Sequence, residues 1–365
     1  ERFGRGQAGT SVLVDPLRAQ AAELLTFAPP SVCDKSRNVL GGNKNDYVSL
    51  AKDWWPVTET DRSTAYEKRD GCANPERFAE HFDYSRLAQM SDAALKLALA
   101  AYLTKDKALG LKAASLLEHW FLSPETAQTP HFKTAQIRPG NTEPRGVGLI
   151  EARNLIYVCE AASMLSVDDY LAPSQLEKLR DWFRNLLDWM LESPEGLLAG
   201  KADDSIALWY HNQCHVYALF VGDTSAAEAS LDKLRRLVLE QIAPDGSMPK
   251  EMAYENPHDY LAFSLIALSG LRTASGSDDV EPQDCKDEAA PALAAARDRL
   301  LETPEAQQIR AWLGDLGGKP GSTPGISQRL DIALAARLFD RAKHTFSKAN
   351  EDLMRELSTL QAEAE

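Results

Sequence analysis

The sequence is poor in cysteine, and its few cysteines form none of the familiar short motifs. Its 365 residues include five cysteines and no Cys-x-x-Cys pair, which excludes a zinc ribbon and a thioredoxin-type redox site. An odd number leaves at least one thiol outside any disulfide within the chain. Cys33 and Cys285 lie in loop-like stretches and are candidates for pairing in an oxidising compartment, whereas Cys159 and Cys214 fall on helical patterns and are predicted to be buried thiols.

Long apolar runs and an excess of positive charge are also missing. No apolar run approaches the roughly 18 residues of a membrane-spanning helix. The formal net charge is −14 at pH 7, whereas nucleic acids and anionic membranes require basic surfaces on their partners. We therefore expect neither a nucleic acid nor a membrane as a partner. An anionic substrate is still compatible with this charge, because a few basic residues focused in a cleft can bind a polyanion.

Helical periodicity is abundant from residue 84 onward, and strand signal is scarce. Apolar residues recur at three- and four-residue steps, as at Leu87, Met90 and Ala94, which is typical of amphipathic helices. Ser174 and Glu177 resemble a capping box at the start of one of them. The predicted helices cover residues 12–26, 84–103, 105–121, 147–166, 173–192, 205–221, 224–241, 258–273, 290–302, 304–314 and 327–361.

Helices that follow one another through short links favour antiparallel hairpins, and many hairpins either stack as a solenoid or close into a toroid. The sequence shows no fixed-period repeat, which argues against a regular solenoid.

Residues 30–83 form an irregular excursion in which prolines, paired glycines and aromatic residues replace the helical pattern. Stretches of this length inside a domain are more often functional than idle. Trp54 and Trp55, with Tyr47 nearby, are candidates for a wall that stacks on sugar rings, since aromatic faces pack on the apolar faces of pyranoses. The alternative is that the tryptophans anchor the loop to the helical body, and the two interpretations are compatible.

Polar side chains crowd an otherwise apolar helix around residue 212. Asn212 and Gln213, with Tyr260 at the head of a later helix, suit the removal of a proton next to a uronate carboxylate. Amide donors neutralise the carboxylate and hold the enolate-like charge of the transition state, while a tyrosine takes the proton or returns one to the leaving oxygen. The alternative is that the two amides cap or cross-link helices and that Tyr260 is a core phenol.

His211 and His215 stand four residues apart and share one face of the predicted helix, an arrangement that can bind a divalent metal. The glutamate of His-Glu-x-x-His is missing, which argues against a metalloprotease. A further ligand would have to come from His258 or Asp259 through the fold. We predict no metal, and we count His211 and His215 as catalytic candidates and His258 as a substrate-binding candidate; a structural histidine pair is the alternative.

Arginines surround the loop that leads into the helix predicted to begin at Val147. They are Arg138, Arg145 and Arg153. Arginine suits bidentate recognition of a carboxylate, and a helix N-terminus adds favourable partial charge for an anion. We predict that Arg145 contacts the substrate, whereas Arg153 is equally compatible with a structural ion pair to Glu151.

These residues and several short motifs together resemble the alginate-lyase-like polysaccharide lyases. The resemblance runs over residues 30–272, and the motifs occur in the family's order. They are Asn-Asp-Tyr-Val-Ser-Leu-Ala at 45–51, Trp-Trp-Pro at 54–56, Arg-Asp-Gly at 69–71, Asn-Pro-Glu at 74–76, Arg-Gly-Val-Gly-Leu-Ile-Glu at 145–151 and Gln-Ile-Ala-Pro-Asp-Gly-Ser at 241–247.

The resemblance implies an all-α fold, an incomplete (α/α) toroid of antiparallel helical hairpins that forms one domain over residues 1–365. It also implies that the chain cleaves an acidic polysaccharide by β-elimination without a cofactor. In the family, an Asn-Asn-His motif, an arginine and a tyrosine carry the reaction. The second asparagine falls on Asn212 and the tyrosine on Tyr260, whereas the histidine falls on Gln213 and the arginine on Tyr254, which we count as substrate-binding.

Glutamine cannot act as a base, so the resemblance leaves two mechanisms. Either His211 or His215 supplies the imidazole, or Tyr260 performs both proton transfers in a syn elimination while Asn212 and Gln213 neutralise the carboxylate. Poly-mannuronate in alginate and glucuronan are both candidate substrates.

Two other functions stay open at this stage. A lyase that has lost the family's histidine and arginine would be a non-catalytic glycan-binding protein. His211 and His215 would support a metal-assisted hydrolase. For the lyase we expect an acidic polysaccharide as the partner and a secreted or periplasmic location.

Overall fold

The structure is a computed structural model that describes most of the chain up to residue 268. The described residues are 17–37, 42–58, 66–69, 72–141, 143–243, 247–254, 260, 261, 263, 264 and 266–268. Outside them lie the predicted helices at 290–302, 304–314 and 327–361, as well as Cys285 and His258.

The described residues are predominantly helical, as the sequence predicts. The α-helices are α1 (Tyr84–Thr104), α2 (Lys107–Leu117), α3 (Leu155–Val167), α4 (Pro173–Glu192), α5 (Pro194–Gly200), α6 (Ser205–Val221) and α7 (Thr224–Gln241). Turns of 3-10 helix cover Leu24–Thr26, Val32–Asp34, Pro75–Phe78, Gly146–Asn154 and Glu251–Ala253, and a π-helical turn covers Glu118–Leu122. Residues 17–23 are also helical. None of the described helices is both long and apolar enough to span a membrane.

Two compact units make up the chain. The first unit contains Val14–Ala202 and Gln213–Ser230, and the second contains Asp203–Asn212 and the described residues from Leu231 onward. Helices α6 and α7 each contribute residues to both units. The expectation of one domain over residues 1–365 stays a prediction.

A group of three helices forms the core of the first unit. α1 packs against both α2 and α3, and its buried face carries Leu87 and Leu97 with alanines between them. Alanine loses no rotamer freedom on burial and keeps the helices close. α1 ends where Lys105 adopts a left-handed backbone with φ 57°, and Asp106 then caps α2 by accepting from the N–H of Ala108 at 3.0 Å. Cys159 on α3 and Cys214 on α6 are buried thiols, as predicted.

Two short strands pair within the excursion, although the sequence indicated little strand. They are β1 (Trp54–Pro56) and β2 (Tyr66–Lys68), and they run antiparallel. The side-chain amide of Asn74 donates to the carbonyl of Trp54 at 2.8 Å, and the indole N–H of Trp55 donates to the carbonyl of Cys72 at 2.8 Å. The first bond holds the backbone of Trp54, and the second holds the indole ring of Trp55. The second bond agrees with the anchoring role for Trp55.

A buried carboxylate ties the excursion to the 3-10 helix at Gly146–Asn154. Glu151 is 1% exposed; it accepts hydrogen bonds from the hydroxyls of Tyr47, at 2.8 Å, and Ser49, and it pairs with Arg77 at 3.3 Å. Burial raises the pKa of Glu151, against the opposing effect of Arg77 and the two hydroxyls. The prediction that Tyr47 contacts a sugar is wrong, because its ring is fully buried and its hydroxyl is bound to Glu151.

The helix predicted at 147–166 consists of two different helices. Residues Gly146–Asn154 form 3-10 helix, and α3 follows directly. The backbone approaches its neighbours closely at the start: a Cβ added to Gly146 would lie 2.4 Å from the backbone nitrogen of Ala199, and one added to Gly148 would lie 2.5 Å from the carbonyl oxygen of Ala135. These glycines therefore let the segment after Arg145 pack against two other parts of the first unit.

The capping box predicted at Ser174 and Glu177 is wrong. α4 begins at Pro173, a residue suited to the first helical position because the N–H that it lacks would have no partner within the helix. The side-chain oxygen of Gln175 accepts instead from the N–H of Ala172 at 3.0 Å.

Candidate active site

Two tyrosines stack on each other in the second unit. The ring centroids of Tyr254 and Tyr260 lie 4.2 Å apart, with 19° between the ring planes, and both residues are half-buried. The side chain of Tyr254 is hydrogen-bonded to the carboxylate of Asp204, and the carbonyl of Tyr260 accepts from the hydroxyl of Ser264 at 2.9 Å. Tyr254 is thus held by its hydroxyl and provides a flat support for the Tyr260 ring.

Two carboxylates adjoin this pair at the start of α6. Glu251 is fully buried and accepts from the N–H of Ser205 at 2.6 Å, while Asp204 accepts from the N–H of Ile206 at 2.9 Å. Burial, followed by the charge of Asp204, raises the pKa of Glu251 to about 7. Burial also raises the pKa of Asp204. Glu251 therefore gains or loses a proton near neutral pH.

The amides of α6 are both buried. Asn212 is 5% exposed and Gln213 is not exposed at all. The hydroxyl of Tyr217 has one proton, which its 2.6 Å bond to the carbonyl of Ala152 occupies, so its 3.5 Å contact with Gln213 Oε1 is weak. Gln213 Nε2 has no hydrogen-bond partner among the described residues. A buried donor without an acceptor is costly, and an anionic ligand would provide one.

The two histidines of α6 have different surroundings. His215 is 5% exposed, and its Nδ1 lies 2.8 Å from the carbonyl of Ala227, which makes this nitrogen the protonated one. His211 is half-buried and meets the ring of Tyr210 edge-on, with 5.0 Å between centroids. No three His, Cys, Asp or Glu side chains form a potential metal site in the described part of the chain. The position of His215 agrees with the structural alternative.

Two arginines lie over one tryptophan in the first unit. The guanidinium carbon of Arg138 is 5.1 Å from the ring centroid of Trp54, and that of Arg145 is 5.9 Å from it. Arg145 donates to the carbonyl of Gln136 at 2.8 Å, and Arg138 donates to the side-chain oxygen of Asn141 at 3.0 Å. Burial, followed by the charge of Arg138, lowers the pKa of Arg145 to about 10. We call Trp54, Arg138 and Arg145 the arginine–tryptophan cluster.

Comparison with known proteins then decides the family. The model of the alginate lyase family matches residues 31–316. The chain belongs to the alginate lyase family. This family member is a polysaccharide lyase.

The lyase is similar to solved structures of other alginate lyases. The crystal structure of an alginate lyase from Bacteroides ovatus is 26% identical, with a TM-score of 0.74, and the match covers 94% of this chain and 92% of that one. Alginate lyase A1-III from Sphingomonas species A1 is 13% identical, with a TM-score of 0.45, over 94% and 93% of the two chains. The search of curated proteins found no match. The predicted fold class, the all-α (α/α) toroid, is confirmed.

The structure brings some of the predicted site residues of the lyase together in pairs. In the first unit the structure brings Arg145 and Trp54 together, and in the second it stacks Tyr254 on Tyr260. Arg138 was not among the predicted site residues, although it belongs to the same loop as Arg145. Glu251 belongs to the motif that begins at Gln241 but was not among the predicted site residues, and only the folded chain shows that its side chain is fully buried.

Proposed function

We propose that this lyase cleaves poly-mannuronate in alginate, or glucuronan as the second candidate, by syn β-elimination at Tyr260. The phenolate of Tyr260 takes the C5 proton, and the electrons of the C5–H bond form the C4=C5 double bond. The C4–O bond breaks, and the phenol gives its proton to the leaving oxygen. Tyr260 ends as the phenolate that it was at the start, so the step is balanced without a cofactor.

Asn212 and Gln213 neutralise the uronate carboxylate in this proposal. Asn212 stands at the position of the family's second asparagine, and Gln213 offers an N–H that has no partner among the described residues. Amide donors aimed at the carboxylate hold the charge that develops when C5 loses its proton. Removing one such donor typically slows a reaction by about 100- to 1,000-fold.

The observation that carries the proposal is the half-buried Tyr260, stacked on Tyr254, in a chain whose family histidine position is Gln213. His211 and His215 are the alternative bases, and Tyr260 would then act only as the acid. The carbonyl of Ala227 lies 2.8 Å from Nδ1 of His215, and Nε2 of the same ring has no hydrogen-bond partner among the described residues.

Replacement of Tyr260 tests the proposal directly. Elimination creates a conjugated unsaturated uronate, so the rate is measured by ultraviolet absorbance with separate poly-mannuronate, poly-guluronate and glucuronan samples. We expect Tyr260→Phe to lower the rate by at least about 100-fold, because a positioned proton-transfer group contributes roughly 10²- to 10⁴-fold. Tyr102→Phe, at an exposed position of α1, is the matched control. Full activity of Tyr260→Phe would reject Tyr260 as the catalytic group.

The pH profile separates the two bases. A free phenol ionises near pH 10 and a free imidazole near 6.5, so a tyrosine base predicts a rate that still rises between pH 7.5 and about 9. A histidine base predicts a plateau over that range. If Tyr260 is the base, the rate of His211→Asn still rises between pH 7.5 and about 9. If that rise disappears in His211→Asn, the base is His211.

The products distinguish the remaining alternatives. A metal-assisted hydrolase on His211 and His215 would release saturated products and stop in a chelator, whereas the lyase continues in a chelator. Binding of a uronan with no absorbance change for any polymer would indicate a glycan-binding protein.

We also propose that the lyase acts in the periplasm or outside the cell, because a long polyanion does not cross an apolar bilayer unaided. Fractionation of cells that express the full-length gene product tests this location.

A further inference from the structure

No carboxylate of the described residues balances the charge of the arginine–tryptophan cluster. No carboxylate of the described residues forms an ion pair with Arg138 or Arg145, whose hydrogen bonds go to neutral oxygens. Each guanidinium carries five N–H donors, and the hydrogen bonds within the described residues engage one side-chain nitrogen of each. Arg138 Nε is buried and has no hydrogen-bond partner in the described part of the chain.

The neighbouring tryptophan shows what a neutralised arrangement looks like. Arg69 lies 5.5 Å from the ring centroid of Trp55, and its guanidinium donates to the carboxylate of Glu67 at 2.9 and 2.7 Å. Arg180 on α4 is a second arginine of this kind. It lies 5.9 Å from the ring centroid of Phe220 and pairs with the carboxylate of Glu177 at 3.7 Å. Only at Trp54 are two cations gathered on one ring without an acidic partner among the described residues.

The cluster is held in place by its surroundings. The backbone of Trp54 is fixed by the β1–β2 ladder and by the hydrogen bond from Asn74, and the glycines after Arg145 lock that segment against its neighbours. Attraction of guanidinium groups to an indole face also limits where they point. Two arginines held in this way lose little freedom when they bind a planar anion.

We propose that Arg138 and Arg145, organised by Trp54, bind the carboxylate of a uronate residue in the polysaccharide, which makes Arg138 a further substrate-binding residue. The inference rests on the proposed function for the identity of the ligand. A carboxylate matches the guanidinium fork in geometry and supplies the missing negative charge. A neutral sugar supplies neither, so the cluster selects acidic polymers.

Binding measurements with the full chain test this proposal. Calorimetry compares a mannuronate oligomer, the same oligomer with its carboxyl groups reduced, and inorganic phosphate. We expect Arg138→Gln to weaken oligomer binding at least about tenfold, the effect of losing one charge-assisted hydrogen bond. Arg138→Lys retains the charge without the fork and should recover part of the affinity. The control is Arg180→Gln, which removes an arginine that already has its own carboxylate.

Steady-state kinetics and thermal melting separate binding from a structural role. In Arg138→Gln we expect a raised KM, a kcat changed less than about twofold and a melting temperature that is unchanged or higher, because one of two repelling charges is gone. A fall in melting temperature with an unchanged dissociation constant would overturn the proposal. The proposal would also be overturned if the carboxyl-reduced oligomer or phosphate bound as tightly as the mannuronate oligomer.

Binding and product formation test the carboxylate site and the lyase reaction separately. Binding that depends on Arg138, with no unsaturated product from any polymer, would reject the reaction and keep the carboxylate site. Product formation with the same KM in Arg138→Gln as in the unaltered chain would reject the site and keep the reaction.

Discussion

Glu251 links the stability of the second unit to pH at the scale of one residue. Burial raises its pKa from the usual 4.5 to about 7 in the folded chain, so the folded state holds the proton more tightly than the unfolded state. The resulting stabilisation is fully present below about pH 4.5 and is lost as the pH rises through 7. At 1.4 kcal/mol per pKa unit, it is on the order of 3 kcal/mol.

We therefore expect Glu251→Gln to flatten the fall in stability between pH 5 and 7.5, because the amide keeps an oxygen for the Ser205 N–H and does not ionise. Thermal melting at both pH values provides the measurement. Burial also raises the pKa of Asp83, to about 6, and that of Asp204, so part of the slope persists in the variant. An unaltered slope would mean that Glu251 is not the group responsible.

Tyr47 gives a second prediction at this scale. Tyr47→Phe removes one of the donors to the buried Glu151 carboxylate and should lower the free energy of unfolding by about 1–3 kcal/mol. KM for a uronan should stay the same, because the phenol is fully buried. Denaturant unfolding and initial rates together check it. A raised KM with normal stability would restore the sugar-contact role that the structure denies.

Tyr47 and Trp54 show that the environment of a single side chain was not predictable from the sequence. Both aromatics lie in the excursion, and sequence reasoning gave them the same role. The structure buries Tyr47 against Glu151, more than 100 residues later in the chain, and leaves Trp54 half-buried beside two arginines. Such distant partners leave no local pattern, so the sequence could not separate the two.

The short helix at Gly146–Asn154 carries a prediction at the scale of an element. Gly148→Ala places a Cβ 2.5 Å from the carbonyl oxygen of Ala135, and such overpacking costs about 1–3 kcal/mol. The shift should also raise KM, because Arg145 directly precedes this helix. Gly222→Ala is the contrast, since φ is +81° there and nothing lies within 4 Å.

For Gly222→Ala we expect a loss of about 1 kcal/mol from backbone strain alone and no change in KM. Melting temperatures and KM values of the two variants decide the matter. Equal effects on KM would show that the close approach at Gly148 does not position Arg145.

The long helices were predictable, whereas the short elements were not. The apolar pattern placed 84–103, 173–192, 205–221 and 224–241 within a residue of the observed helices. α5 has only seven residues, too few for periodicity to be recognised. The 3-10 helix depends on close approach to Ala135 and Ala199, which no local propensity encodes.

The net charge of −14 leads to a prediction for the whole molecule. An acidic surface repels a polyanionic substrate over distances of about a Debye length, roughly 30 Å in 0.01 M salt and 10 Å in 0.1 M. The half-buried arginine–tryptophan cluster is screened less than exposed charges. We expect kcat/KM to rise as NaCl increases between these concentrations, and initial rates across a salt series measure it. A steady fall would mean that attraction by exposed cations dominates association.

At this scale, the fold class followed from helical hairpins, the absence of a repeat and the ordered motifs of the family. The chemistry followed less completely, because the resemblance sets Gln213 and Tyr254 at the positions of the family's histidine and arginine. What replaces them depends on burial and stacking, as the Tyr254–Tyr260 pair shows, and these properties arise only in the folded chain.

The bonds to Glu151 also set an order of events during synthesis. Tyr47 emerges from the ribosome 104 residues before its acceptor, and at translation speeds of about 5–20 residues per second the interval is roughly 5–20 s. Throughout that time the excursion lacks the carboxylate that fixes it, while the hairpin of α1 and α2 can already form from local contacts. The nascent excursion is therefore the segment on which we expect chaperones and proteases to act, until the residues around Glu151 have been made.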